Sequence, residues 1–223
     1  MAMLRLGADL FLQAPIDAIT LRVSSGLAMH HAASRPVVMS LPNVLTYGRI
    51  LAVPGLVACL FFLQGDLARW LAFTLFVAAS LTDWLDGYLA RAWKQQSALG
   101  RMLDPIADKL LVGTTLLMLT HFNTIYGWHI WAAVIILCRE ILVSGLREFL
   151  AELNVTIHVT QLAKWKTTLQ MIALAVLLAG PAGDKIVPIV TSSGLALLWV
   201  AALLTLVTGY DYLRAAVQHA IDR

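Results

Sequence analysis

The sequence predicts an all-α integral membrane protein with six transmembrane helices. Its mean hydropathy is +0.79, and 60% of its residues are hydrophobic. Only 13% of its residues are charged, whereas a soluble domain of this length carries about twice that fraction. Apolar runs of about 20 residues recur without the two-residue alternation of a barrel strand, so helices are the expected way to cross the lipid.

The predicted spans are separated by short connections, so neighbouring helices should pack antiparallel. Glycine, asparagine and proline mark several of these connections, at Gly65, at Asn123 with Gly127, and in the run from Gly180 to Gly183. The six spans cover roughly 43–63, 69–90, 101–121, 128–150, 164–181 and 187–213.

Lysine and arginine are distributed unevenly between the two ends of these spans. If the N-terminus is cytoplasmic, the external connections carry only Arg69 and Lys185 of the sixteen basic residues. The other fourteen lie in the tails, the cytoplasmic loops or the cytoplasmic halves of helices. This is the positive-inside pattern, and it predicts a cytoplasmic N-terminus.

Residues 1–38 differ from the rest of the chain. They contain no apolar run long enough to span a membrane and no signal-peptide pattern. The stretch LRLGADLFLQAPIDAITLRV could form an amphipathic helix on the membrane surface, and a start at Met39 is an alternative. We therefore expect a poorly ordered or amphipathic extension at 1–38 and a six-helix membrane domain at 39–223.

Four aspartates lie where the second and third apolar runs meet. On a helix with about 100° per residue, the first two share a face with Gly87 and Ala90. The last two follow Gly100 at four-residue steps and form one stripe on the next helix. Antiparallel packing lets the two faces meet at the cytoplasmic interface. The four residues are Asp83, Asp86, Asp104 and Asp108.

Converging carboxylates near a membrane need compensation. Each ionised residue costs about 2.5–3.5 kcal/mol at mid-membrane, and repulsion between like charges adds to this cost. Ligands that are all oxygen, without His or Cys, select Mg²⁺ or Mn²⁺, and carboxylates shared between ions can build a two-metal centre. We therefore expect two such ions. A solvated loop is the alternative, but such loops mix charges and do not form two acidic stripes.

The small residues Gly87, Ala90 and Gly100 leave room for a bulky ligand beside the metals, although close helix packing would also explain them. Arg91 follows at the cytoplasmic end of the same helix, where it can meet phosphate oxygens.

These residues resemble the signature of the CDP-alcohol phosphotransferase family, D-x2-D-G-x2-A-R-x8-G-x3-D-x3-D. The family's six-helix architecture agrees with the span count, so the resemblance covers about 40–213. It implies the transfer of a phospho-alcohol unit from a CDP-linked donor to an acceptor hydroxyl, with release of CMP. The matching positions are Asp83, Asp86, Gly87, Ala90, Arg91, Gly100, Asp104 and Asp108.

The resemblance also implies roles for these positions. The aspartates at 83, 86 and 104 would bind the two metals, with Asp108 as a ligand or close neighbour and as the base that takes the acceptor proton. Gly87, Ala90, Arg91 and Gly100 would line the cytidine-diphosphate site. The implied location is a bacterial inner membrane, with the active site at the cytoplasmic interface.

Three further stretches resemble bacterial members that join CDP-diacylglycerol to sn-glycerol 3-phosphate in phospholipid biosynthesis. They are LPNVLTYGR (41–49), REILVSGLRE (139–148) and KWKTTLQ (164–170). The phosphate of this acceptor needs basic partners. Arg139 lies inside an apolar run, and its neighbour Glu140 cannot fully explain it because adjacent helical residues point about 100° apart. We therefore expect Arg139, Arg147 and Lys166 to bind glycerol 3-phosphate, although cytoplasmic charge or contact with anionic lipid would also explain the last two.

Three alternatives remain. Other family members make phosphatidylserine, phosphatidylinositol phosphate or cardiolipin, and the last two acceptors would also use a second basic cluster. A cation transporter could use intramembrane carboxylates, but these acids lie at one interface and form no path across. A catalytically inactive scaffold is the third alternative, and the intact signature argues against it.

The expected partners are CDP-diacylglycerol, glycerol 3-phosphate and membrane lipid. The formal net charge of +3 is small, and we expect no nucleic-acid partner. The last two helices are mostly apolar and offer a face for a homodimer. Cys59 and Cys138 lie in apolar segments and are interpreted as small hydrophobic residues rather than as a disulfide or metal pair.

Overall fold

A computed structural model of the chain describes residues 41–93, 98–152 and 161–221. The side chains of 84–99 lie outside this description, as do residues 1–38, for which the extension was predicted. No strand occurs in the described ranges, so the all-helical class is confirmed for them. Their six helices are α1 (Leu41–Phe62), α2 (Gly65–Trp93), α3 (Ala98–His121), α4 (His129–Glu152), α5 (Gln161–Asp184) and α6 (Val190–Ile221).

Four of these helices are long and apolar enough to cross a membrane. The stretches that qualify are Leu45–Phe62, His129–Ala151, Lys164–Asp184 and Val190–Arg214. The other two, α2 and α3, have 29 and 24 residues, but they carry the aspartates together with Arg69 and Lys109, which lower their mean hydropathy. The membrane class is supported, and the number of six spans stays a prediction.

The outer surface of the bundle is rich in large apolar side chains. Leu51, Phe62 and Trp128 are 71%, 84% and 81% exposed, and similar residues occur on every helix. Apolar surface this extensive is unfavourable in water. These side chains are therefore suited to contact lipid.

Helices α1 and α2 form an antiparallel pair joined by residues 63–64. A Cβ on Gly55 of α1 would lie 3.1 Å from the Leu75 side chain of α2, so the absence of a side chain lets the helices approach closely. Nearer the other end of the pair, Arg49 contacts Asp83. Helix α3 also packs on α1, which therefore lies against both helices that carry the aspartates.

The other half of the bundle is built around α6, which packs on α5 and α4. A Cβ on Gly194 of α6 would lie 2.8 Å from the Leu177 side chain of α5, so this crossing requires glycine. Leu174, Leu177 and Leu198 are completely buried between these helices and the rest of the core.

The turn predicted from Gly180 to Gly183 is a kink inside α5. Gly180 adopts a φ of 32°, and the helix continues through Pro181 to Asp184. A positive φ suits glycine, and proline has no N–H to donate to the preceding turn. The other predicted turns are confirmed, because Gly65, Asn123 and Gly127 all have positive φ values at helix connections.

Candidate functional site

Helix α1 supplies a partner to each of two signature aspartates. Arg49 Nη1 lies 2.6 Å from Asp83 Oδ1 on α2, and Thr46 donates a hydrogen bond of 2.6 Å to Asp104 Oδ1 on α3. Thr46 and Arg49 are three residues apart and therefore project from the same side of α1. Both are almost completely buried. The two acidic helices are thus fixed to one face of α1.

The third described aspartate belongs to the same group. Asp83 on α2 is near enough to interact through its charge with Asp104 and with Asp108 on α3. Gly100 on α3 is buried, as expected for a residue that packs against another helix. The side chains of Asp86, Ala90 and Arg91, together with Gly87, lie outside the described residues.

The donor chemistry of this group suits a hard divalent cation, because every described acidic member offers carboxylate oxygens and no His or Cys takes part. Within the ranges 45–83 and 102–151, where most side chains are described, and in the described parts of α5 and α6, no three His, Cys, Asp or Glu residues lie close enough to hold one ion. The predicted ligand set includes Asp86, which lies outside this search. The metal ligands therefore stay a prediction.

A cavity of about 340 Å³ opens beside Asp108. Helix α4 contributes Arg139 and Arg147 to its wall, and α5 contributes Lys166. The candidate base and the three predicted acceptor-binding residues therefore line one cavity. Its wall also contains Pro105, Lys109, Glu140, Val143, Ser144, Glu148 and Thr167.

Arg139 is held mainly by α6. Its Nε donates a hydrogen bond of 3.1 Å to the Thr205 carbonyl oxygen, and its Nη2 donates one of 3.0 Å to Thr208 Oγ1. The third nitrogen, Nη1, lies 3.6 Å from Glu140 Oε1. These contacts agree with the expectation that Glu140 alone does not compensate the buried charge of Arg139. Arg139 is thus a fixed positive charge at the back of the cavity.

Lys166 and Arg147 differ in how they are held. Lys166 is buried and forms an ion pair with Glu140. Arg147 is exposed, and its Nη2 donates a hydrogen bond of 2.8 Å to the Tyr212 hydroxyl. The guanidinium carbon also lies 4.8 Å from the centre of the Tyr212 ring, within the range of a cation–π contact. Arg147 is therefore the cation that an entering anion can reach most directly.

The cavity has a mixed but slightly basic wall. Four basic side chains, at 109, 139, 147 and 166, face three acidic ones, at 108, 140 and 148. Such a wall can bind an anion through its basic part and place a neighbouring hydroxyl beside a carboxylate. A phosphorylated alcohol has both of these groups.

Thr46 and Arg49 lie in the stretch LPNVLTYGR (41–49), but the sequence did not identify them as partners of the aspartates. It also missed Thr208 and Tyr212, which hold the two arginines from α6. The sequence feature that could have identified Thr208 and Tyr212 is the cluster of polar residues near the end of α6, which is otherwise apolar.

Comparison with known proteins gives a family match over most of the chain. The sequence model described as CDP-alcohol phosphatidyltransferase matches residues 39–207. This range includes all four aspartates and all four basic residues that line the cavity.

Bacterial relatives are similar over nearly their whole length. A Cereibacter sphaeroides protein is 41% identical over 216 residues, which cover 82% of this chain and 98% of the relative. A Rickettsia bellii protein is 46% identical over 180 residues, with 81% and 97% covered. A protein of Escherichia coli strain K12 is 38% identical over 187 residues, with 82% and 98% covered. Each relative is named CDP-diacylglycerol–glycerol-3-phosphate 3-phosphatidyltransferase.

Proposed function

Because this chain belongs to the CDP-alcohol phosphatidyltransferase family, we propose that it transfers the phosphatidyl group of CDP-diacylglycerol to sn-glycerol 3-phosphate. The products are phosphatidylglycerophosphate and CMP. The relatives that carry this activity in their names match about four-fifths of the chain. The structural observation that carries the choice of acceptor is the cavity in which Asp108 lies with Arg139, Arg147 and Lys166.

The donor diphosphate belongs at the aspartate cluster. Two Mg²⁺ or Mn²⁺ ions, when bound, neutralise the diphosphate and stabilise the departing CMP. Asp83, Asp86 and Asp104 would hold them, with Asp108 as a further ligand or neighbour. Arg49 and Thr46 orient two of these carboxylates through the contacts described above. Gly87, Ala90, Arg91 and Gly100 are proposed to line the cytidine-diphosphate site.

Proton transfer is assigned to Asp108, which lies both near Asp83 and in the wall of the acceptor cavity. Its carboxylate accepts the proton of the glycerol 3-phosphate hydroxyl. The oxygen then forms a bond to the phosphorus that carries diacylglycerol, and the bond from that phosphorus to the bridging oxygen of CMP breaks. General base catalysis of this kind contributes about 10²–10⁴-fold to a rate.

The acceptor phosphate is assigned to the basic wall. Arg147 can contact it with two parallel hydrogen bonds, while the buried Arg139 and Lys166 add positive charge behind it. A neutral or zwitterionic acceptor such as serine would not need the positive charge of this wall. This is why glycerol 3-phosphate is favoured over serine.

We also propose six transmembrane spans in a bacterial inner membrane, with the N-terminus and the active site on the cytoplasmic side. The distribution of basic residues supports this orientation. The end of the bundle opposite the aspartates has an exposed ion pair in which Lys185 Nζ lies 2.7 Å from Asp66 Oδ2. Homodimer formation and the nature of 1–38 stay predictions.

An acceptor panel tests this function. The purified protein would be given radiolabelled CDP-diacylglycerol, Mg²⁺ or Mn²⁺, and one acceptor at a time: glycerol 3-phosphate, serine, inositol phosphate or phosphatidylglycerol. We expect CMP release and phosphatidylglycerophosphate only with glycerol 3-phosphate and a divalent ion. Turnover with another acceptor would assign a different family activity. Cation flux into proteoliposomes without CMP release would favour the transporter.

A further inference from the structure

A second cavity lies between α1 and α2, next to the aspartate cluster but separate from the acceptor cavity in its lining residues. Its volume is about 350 Å³. Half of its described lining residues are glycine or alanine, with Gly48 and Ala52 on α1 and Ala78 and Ala79 on α2. We call this cavity the α1–α2 groove.

The groove begins at the reaction centre. Arg49, which contacts Asp83, is part of its wall, and so is Thr82, the residue before Asp83. From there the lining continues to Ala52 on α1 and to Leu75 on α2. Seven residues of helix separate Thr82 from Leu75, so the groove extends about 10 Å along the helix pair. The α1 part of its wall lies within the candidate span Leu45–Phe62.

The chemistry of the wall suits a hydrocarbon chain. Among the lining residues that the structure describes, Arg49 alone is charged, and it lies at the end that joins the aspartates. Leu51 and Leu81 lie next to lining positions and are 71% and 62% exposed on the apolar outer surface. The groove thus connects a polar centre with the lipid-facing side of the helix pair.

We propose that the α1–α2 groove holds an acyl chain of the donor lipid. This proposal rests on the proposed function, because the occupant is CDP-diacylglycerol. A lipid whose diphosphate lies at the aspartates must keep its acyl chains in the membrane. The groove is continuous with both the aspartate cluster and the lipid-facing surface of the helix pair. The donor would then enter from the α1–α2 side, while glycerol 3-phosphate enters the cavity formed by α3, α4 and α5.

Gly48 offers a way to fill the groove without disturbing the fold. A Cβ on Gly48 would meet no atom within 4 Å, and the residue lies inside a helix, where a larger side chain is favourable relative to glycine. Gly145 on α4 is a matched control. It is also an exposed helical glycine whose Cβ would meet nothing within 4 Å, and it lines neither cavity.

The kinetic test compares the unsubstituted protein with Gly48→Ala, Gly48→Leu and Gly145→Leu. Each would be assayed with CDP-diacylglycerol carrying long or very short acyl chains, at saturating glycerol 3-phosphate. We expect Gly48→Leu to lower kcat/KM for the long-chain donor by about tenfold or more. Gly48→Ala should have a smaller effect, and the short-chain donor and Gly145→Leu should show little change. An equal loss with both donors, or none with either, would overturn the proposal.

A labelling experiment with the unsubstituted protein does not depend on any variant folding. CDP-diacylglycerol with a photoreactive group in one acyl chain should label the segments 45–52 and 75–82, and unlabelled CDP-diacylglycerol should prevent it. Labelling confined to other helices would contradict the groove assignment. Labelling here that excess phosphatidylethanolamine prevents equally well would show an ordinary membrane lipid instead. Failure of the unsubstituted protein to consume CDP-diacylglycerol would contradict the proposed function itself, whereas the labelling pattern bears on the groove.

Discussion

The guanidinium of Arg49 lies 2.6 Å from the carboxylate of Asp83, and this contact fixes α1 to the acidic face of α2. The two side chains are unequally buried, with 0% of Arg49 and 44% of Asp83 exposed. Three residues earlier, Thr46 makes the equivalent contact to Asp104 on α3. Helix α1 therefore positions two of the carboxylates on which the proposed reaction depends.

Replacing Arg49 with Gln should reduce activity much more than stability. Asp83 is partly exposed and can be hydrated without its partner, so the loss of stability should be modest. Its carboxylate would no longer be oriented, and we expect kcat/KM to fall by about 10²-fold, as for the loss of a well-placed catalytic group. Melting temperature and CMP release would both be measured.

The control for this change is Lys185→Gln, which breaks the exposed ion pair with Asp66. Exposed pairs contribute about 0–1 kcal/mol, so neither stability nor activity should change much. If both variants lower kcat/KM to the same extent, Arg49 has no special relation to the aspartate cluster.

Asp108→Asn and Asp83→Asn should have different consequences. The first removes the proposed base but keeps most of the metal ligands, so turnover should be abolished while donor binding remains measurable. The second removes metal-binding charge and should abolish both. Binding of CDP-diacylglycerol and single-turnover CMP release would be measured for each variant. Equal loss of donor binding in the two variants would contradict this division of roles.

Tyr212→Phe should weaken use of the acceptor to a small extent. The substitution keeps the ring under Arg147 but removes the hydroxyl that accepts its hydrogen bond of 2.8 Å. A net loss of about 0.5–1.5 kcal/mol corresponds to about a 2- to 12-fold rise in the KM for glycerol 3-phosphate. The KM for the donor should not change. Tyr210→Phe is the control, because Tyr210 is 64% exposed on the same helix; a similar effect there would rule out a specific role for Tyr212.

A protein that starts at Met39 should insert and turn over like the full chain. The family match begins at residue 39, and every residue assigned above lies after it. Activity per inserted molecule would be compared between the two forms. A drop of tenfold or more at equal insertion would show a function for 1–38.

Local sequence patterns predicted the existence and approximate positions of the six described helices. The lengths of the apolar runs placed α1 and α4 within two residues of their ends, whereas α6 continues eight residues beyond the predicted end at 213. The spacing of Asp104 and Asp108 predicted that both lie on one face of α3. Partners between helices were harder to predict. Arg49 and Asp83 are 34 positions apart, and no local pattern relates them.

Two other features also depend on contacts between residues that are far apart in the sequence. Arg139 was recognised as unusual inside an apolar run, but its hydrogen bonds to Thr205 and Thr208 span 66 and 69 positions. Gly180 and Pro181 resemble a turn in sequence, yet α5 continues through them as a kink because the helix is held on both sides of it.

The decisive question is whether the cavity beside Asp108 binds the phosphate of the acceptor, and the most direct measurement is an acceptor titration of the unsubstituted protein and Arg147→Ala. Both glycerol 3-phosphate and glycerol would be titrated at saturating CDP-diacylglycerol. Loss of a charge-assisted contact worth about 1.5–3 kcal/mol should lower kcat/KM for glycerol 3-phosphate by about 10- to 150-fold. Arg147→Lys should recover part of this loss, because it restores the charge but not the two-pronged geometry.

Plain glycerol should be a poor acceptor for the unsubstituted protein, and Arg147→Ala should hardly change its rate. The donor KM should also stay the same. If the substitution impairs glycerol and glycerol 3-phosphate equally, or changes only the donor KM, then these basic residues do not bind the acceptor phosphate and the assignment of the cavity is wrong.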